Sequence, residues 1–302
     1  IYLGKVNSYL IFRTDRIGDF LLTIILINSI KRNDPNSFIT VISSKKNYHY
    51  IKSFKIINEV IILKNNLFDK IKLINRLRSN YYNNIIVHDS KKRSVIISLF
   101  LKYGLKIKPN NDLNISYIDS IKKIISKLDF NFTESDLNTL ENRDHNFSED
   151  LNEDFILLHF DEKWIYNEYI NEYTNIEPSK DELIEFIDLL LTKSNKKLVI
   201  TTGISSPNIL NDIIDINLSP KVKVYKELDF FYLEKLVSKC KLLISCHGAV
   251  SHVAAAHKIK QIDIIDKIKL KFYSRWTAHF RNYTPIYRKK FPLLSEEVIK
   301  LL

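Results

Sequence analysis

The sequence predicts an α/β protein built on parallel sheets and arranged in two halves. Three observations carry this. Short apolar runs rich in Ile, Val, Leu and Phe alternate with stretches of helical periodicity along the chain. The 302 residues are enough for two domains of ordinary size, each with its own core. A polar, acidic stretch at 131–150 interrupts the alternation near the middle. Strands that are apolar throughout and separated by helices are characteristic of sheets covered on both faces.

In chain order, Tyr9 to Phe12 is an apolar run that breaks into Arg13-Thr14-Asp15-Arg16-Ile17-Gly18-Asp19. Apolar positions then recur at helical spacing through Leu21, Leu22, Ile25 and Leu26. The pattern reads as strand, loop, helix. Strands follow at 38–43, 56–63 and 84–88, with helices at 67–77, 94–103 and 112–128. The second half repeats the alternation, with strands at 155–159, 197–202, 222–225, 242–245 and 261–265. Helices fall at 180–191, 207–214, 230–238 and 248–257, and Ser295 opens a last one. The domains are therefore expected at 1–150 and 151–302. The aromatic and basic tail, 272–288, is expected to pack back across them.

Composition bounds the partners. Forty-six Lys and Arg against 35 Asp and Glu give a net charge of +11, which favours anionic partners. The Ile, Lys and Asn excess is spread evenly along the chain, so the charge alone names no ligand, and nucleic acid is not expected. Cys240 and Cys246 are too few for a disulfide framework and lack companions at zinc spacing. With no apolar run near the roughly 18 residues of a membrane span and no secretory pattern, a cytoplasmic location is expected. Peripheral contact at the inner face of the membrane stays open.

Three loops at carboxyl ends of strands collect the unusual polar residues: Arg13 to Asp19, His159 to Trp164, and Ser245 to His252. Ligands of open parallel sheets bind at such edges. Asp19 stands in the first turn of a helix, where a carboxylate serves either as a cap or as a reactive base. Gly248 and Ala249 at the mouth of a small-residue helix would let free amides approach a phosphate. No dinucleotide fingerprint and no P-loop occur.

The arrangement resembles the ADP-heptose:lipopolysaccharide heptosyltransferases, glycosyltransferase family 9, from about Tyr9 to about Asp266. Arg13 to Thr23 is similar to that family's opening R-x-x-x-x-G-D-x-L-L-T signature. Arg93-Ser94 after His88-Asp89, the Lys163-Trp164 pair, and Ser251-His252 before Ala254 to Ala256 support it. The resemblance implies a GT-B fold, two Rossmann-like domains facing a central cleft, with acceptor on the N-terminal and nucleotide sugar on the C-terminal side. It implies inverting transfer without metal or other cofactor, with a nucleotide-diphosphate sugar as co-substrate, ADP-sugar favoured.

Carried onto this sequence, the resemblance makes Asp19 the general base. Lys163, Trp164, His247, Gly248, Ala249, Ser251 and His252 become donor-side candidates, with simple packing as the alternative for Trp164. Arg13, Arg16, Gly18, Lys91 and Arg93 become candidates for an anionic glycan or glycolipid acceptor. Where the family usually has an aspartate followed by Ser or Thr and glycine, this chain has His247, Gly248 and Ala249. Imidazole cannot accept two hydroxyl hydrogen bonds as a carboxylate does, so the departure bears on nucleotide and sugar identity. A catalytically silent scaffold that binds nucleotide or glycan is the alternative reading.

Overall fold

A computed structural model of the chain describes residues 6–109, 112, 114–140, 154–214 and 218–302. The chain splits into two compact units, Ile1–Asp144 and His145–Leu302. Residues 141–150 of the expected boundary stretch lie outside the described residues.

The first unit runs β1 (Ser8–Phe12), α1 (Ile17–Asn33), β2 (Phe38–Ser43), α2 (Tyr48–Lys52), β3 (Glu59–Ile62), α3 (Leu67–Leu77), β4 (Tyr81–Ile86), α4 (Lys92–Leu99), β5 (Lys102–Ile107) and α5 (Tyr117–Lys127). Its strands form one parallel sheet in the order β3-β2-β1-β4-β5. The chain moves outward from β1 to β3, then returns to lay β4 on the free side of β1. The order thus reverses between β1 and β4, and the loops after these two strands flank that switch point, where parallel sheets bind ligands.

Local sequence explains the elements around it. The Leu10-Ile11-Phe12 run of β1 is fully buried, as a central parallel strand requires. Helix α1 is apolar on nearly every side because it is covered as well as supported. Phe20 packs edge-on against Tyr50 and Phe54, and α1 also meets α5. The 131–140 part of the polar stretch belongs to this packing: Asp136 is buried and paired with Arg32 at 2.8 Å. The structure differs from the sequence expectation at 94–103, where the helix stops at Leu99 and Lys102–Ile107 is an edge strand. Gly104 permits that pairing, since a Cβ there would stand 2.8 Å from Tyr81 Oη and 3.0 Å from the Asn83 carbonyl.

The second unit runs β6 (Phe155–His159), α6 (Lys180–Ser194), β7 (Lys197–Thr201), α7 (Asn208–Ile214), β8 (Val222–Tyr225), α8 (Phe230–Lys239), β9 (Leu242–Cys246), α9 (Ala249–Ala256), β10 (Lys260–Ile265), α10 (Leu270–Thr277), β11 (Tyr283–Tyr287) and α11 (Phe291–Lys300). Its six strands are parallel in the order β11-β10-β9-β6-β7-β8. Here the order reverses between β6 and β9. The tail supplies β11, an edge strand that accommodates Pro285, and α11, which packs against α6 within this unit. Helix α11 begins at Phe291, ahead of the expected Ser295, with proline in its first turn.

Candidate active site

In the first unit the loops after β1 and β4 are tied to each other at the switch point. Asp89 Oδ2 accepts from Thr14 Oγ1 at 2.6 Å and from Ser94 Oγ at 2.8 Å. Lys91 Nζ and Arg93 Nη2 both donate to the Thr14 carbonyl, at 3.2 and 3.3 Å. Beneath them Arg13 is 2% exposed and donates to Thr23 Oγ1 at 2.6 Å and Asp15 Oδ2 at 2.9 Å. His88 Nδ1 also bonds Thr23 Oγ1, at 2.9 Å. Burial and the Arg13 charge hold the His88 imidazole well below its usual pKa, so it is a neutral spacer.

Asp19 lies in the first turn of α1, half-buried, with Oδ2 accepting the Arg16 N–H at 3.3 Å. Cap and candidate base are therefore the same carboxylate. Burial raises its pKa, the Asp15 charge adds to the rise, and Arg13 opposes it. A carboxylate raised in this way holds an abstracted proton more strongly, which suits a general base.

In the second unit the loops after β6 and β9 meet in the same fashion. The buried Asp161 takes an ion pair from Lys163 Nζ and a contact from His159 Nε2 at 3.3 Å. Burial works against both charges, but the Lys163 and His159 partners hold Asp161 below its usual range. Asp161 and Glu162 likewise push Lys163 up. Lys163 Nζ stands 3.2 Å from where a Cβ of Gly248 would lie, at the N-cap of α9. An ammonium beside a helix start is the kind of setting in which an anion can be held, and a side chain at 248 would crowd the lysine.

Asp263, on β10, lies behind this site. It is fully buried and accepts from His247 Nδ1 at 2.6 Å, Ser251 Oγ at 2.8 Å and Tyr283 Oη at 3.1 Å. His247 is clamped between that carboxylate and Trp276, whose ring is parallel to it at 5.8 Å. Ser251 Oγ also receives the Gly248 N–H at 3.2 Å, so Ser251 orders the loop.

These positions sort the expected residues. Asp19, Gly18, Arg16, Lys91 and Arg93 gather around one switch point; Lys163, His247, Gly248, Ala249 and Ser251 gather around the other. Arg13 is buried at the same switch point, its guanidinium bonding Thr23 and Asp15. Trp164 is corrected to a core side chain: it is 1% exposed, stacks on Phe160 at 5.1 Å, and donates to the His159 carbonyl at 2.9 Å. His252 is buried against Phe280, and burial with the neighbouring His247 and His279 charges lowers its pKa. Sequence reasoning missed Asp161, Asp263 and Arg288. Arg288 donates to the Lys163 carbonyl at 2.7 Å and so buttresses the loop that carries the lysine. Among the described residues no group of three or more His, Cys, Asp or Glu could hold a metal ion, and no helix is long and apolar enough to cross a membrane.

No protein-family model matches the sequence, and no curated protein sequence matches it significantly. Solved structures do match. Escherichia coli heptosyltransferase WaaC with ADP superposes with a TM-score of 0.72 at 12% identity, over 98% of this chain and 100% of the other. A family 9 glycosyl transferase from Veillonella parvula gives 0.70 at 12% identity, over 98% and 88%. Escherichia coli ADP-heptose lps heptosyltransferase II gives 0.66 at 14%, over 98% and 99%. With two parallel sheets and this likeness over nearly its whole length, the chain has the GT-B fold in its heptosyltransferase-like form.

Proposed function

We propose that this chain is an inverting glycosyltransferase. In this reading it moves a heptose or related sugar from a nucleotide-diphosphate sugar to an anionic cell-envelope glycan of lipopolysaccharide type. The observation that carries the reading is the anion site of the second unit, where Lys163 Nζ stands against Gly248 at the start of α9. In this role Lys163 and the Ala249 amide at the start of α9 offset the charge that grows on the departing diphosphate. That positive charge comes from the chain itself, which supports transfer without a metal. Asp19 takes the proton from the acceptor hydroxyl as its oxygen attacks the anomeric carbon opposite the leaving group. Arg16, Lys91 and Arg93 attract the acidic acceptor.

The neighbouring fold with ADP bound favours an ADP-sugar as donor. His247 would contribute the one ring nitrogen not committed to Asp263, a single contact where a carboxylate would offer two oxygens.

A melting-temperature screen against ADP, ADP-sugars, GDP-, UDP- and CMP-sugars tests the reading. A ligand that binds only the folded chain adds about 2.7 kcal/mol at a hundred times its dissociation constant. We expect the ADP compounds to raise the melting temperature most. No rise with any of them would contradict the proposal.

A further inference from the structure

The first unit exposes large apolar side chains where its helix α3 begins. Leu67 is 73% exposed, Phe68 72% and Ile71 48%, whereas Leu73 and Leu77 of the same helix are buried against the sheet. At 100° per residue, positions 67, 68 and 71 share one face and 73 and 77 lie on the opposite one. Lysines surround the exposed face: Lys64 precedes it, and Lys70 and Lys72 flank it, with Lys72 Nζ 5.4 Å from the Phe68 ring centroid. The one acid in this stretch, Asp69, is engaged in the helix cap with Asn66 and lies 3.7 Å from Lys64.

We infer that the start of α3 is a wedge that docks on an anionic lipid bilayer. The charge fits: three lysines around three apolar side chains match acidic headgroups over hydrocarbon. The size fits as well, since three side chains from one helix turn fall short of the roughly 800 Å² per partner that a stable protein interface buries. The patch is also continuous with the acceptor-side loops. Arg93 Nη1 donates to Asn65 Oδ1 at 3.0 Å, just before α3, while its Nη2 donates to Thr14 Oγ1 at 2.9 Å. A chain docked by this wedge would hold those loops beside a glycan carried on a lipid. The inference thereby extends the acceptor reading proposed above.

The test needs neither donor nor acceptor, so its failure and that of the transfer reading are separable. The full chain is sedimented with phosphatidylcholine vesicles, with and without phosphatidylglycerol. Binding is expected only with the anionic lipid, and is expected to weaken with salt. The Leu67→Ser, Phe68→Ser, Ile71→Ser triple variant is expected to lose at least tenfold in binding with an unchanged melting temperature. Replacing Lys64, Lys70 and Lys72 with Gln is expected to lose about a hundredfold, at roughly fivefold per charge. In a Phe68→Trp variant, emission should shift to the blue when anionic vesicles are added. Absence of wild-type binding, binding unaffected in the serine variant, or an unshifted Phe68→Trp spectrum would overturn the inference. So would a chain whose self-association, measured by sedimentation velocity, disappears in the serine variant, because a second copy would then be the occupant.

Discussion

Replacing Lys163 with alanine removes the one cation that is ion-paired with a buried carboxylate at the proposed diphosphate site. Asp161 is 1% exposed and would keep only the His159 Nε2 contact at 3.3 Å. Breaking a buried pair by deleting one partner costs about 3–5 kcal/mol, and the remaining histidine places this case near the lower end. At about 2–4 °C per kcal/mol for a unit of this size, Lys163→Ala should lower the melting temperature by about 6–12 °C. The companion variant Lys163→Ala with Asp161→Asn removes the stranded charge and should recover most of that loss. Neither variant should bind a nucleoside diphosphate as the wild type does. Calorimetric unfolding measures the first effect and isothermal titration with ADP the second. If the double variant is no more stable than the single one, the ion-pair account of this loop is wrong. If ADP binds Lys163→Ala with undiminished affinity, the lysine does not face the diphosphate.

Two further outcomes follow from the same geometry. Gly248→Ala has no conformational penalty, since Gly248 is extended at φ −175°, but its Cβ would meet Lys163 Nζ at 3.2 Å. We expect a melting temperature close to wild type and at least tenfold weaker ADP binding; unchanged affinity would place the anion elsewhere. Stability should also fall with acid in a defined window. His88, His252 and His279 have folded pKa values below their ordinary 6.5, His279 at about 4 through burial. The unfolded chain therefore takes up protons first as pH drops below 6.5, at about 1.4 kcal/mol per pH unit for each histidine until its folded value is reached. Denaturant titrations between pH 7 and pH 4 should show that loss, and a flat profile would contradict the burial of these rings.

Much of this could be read from local pattern. The strand, charged loop and helix around Asp19 were legible because a central parallel strand is continuously apolar and its helix begins at a Gly-Asp pair. Edge strands were not. Lys102–Ile107 buries only Ile107 and Tyr283–Tyr287 carries a proline, so neither shows the apolar run that marks a covered strand. The candidate site divided in the same way. Lys163 and Gly248 were recognisable by their setting, whereas Arg288 reaches Lys163 across 125 residues and Asp263 reaches His247 across 16. Asp263 did leave a trace, as the lone charge inside Gln261-Ile262-Asp263-Ile264-Ile265, where a buried carboxylate needs partners. Trp164 misled because a tryptophan beside a lysine looks like a stacking platform, and only packing reveals that both of its faces are covered.

In the proposed reaction, transfer rests on Asp19. Asparagine at this position can still accept the Arg16 N–H now held at 3.3 Å, so the fold and ADP binding should survive in Asp19→Asn. Loss of a positioned base costs about a hundredfold to ten-thousandfold in rate. The decisive measurement is the pH profile of sugar transfer from the nucleotide sugar that stabilises the chain, with a deacylated lipopolysaccharide core as acceptor. Wild type should lose rate on the acid side with a midpoint above the ordinary carboxylate value of about 3.9, as burial and Asp15 dictate. Asp19→Asn should run at least a hundredfold slower and lack that acid limb. Transfer by Asp19→Asn at more than a tenth of the wild-type rate, with the same acid limb, would contradict the assignment.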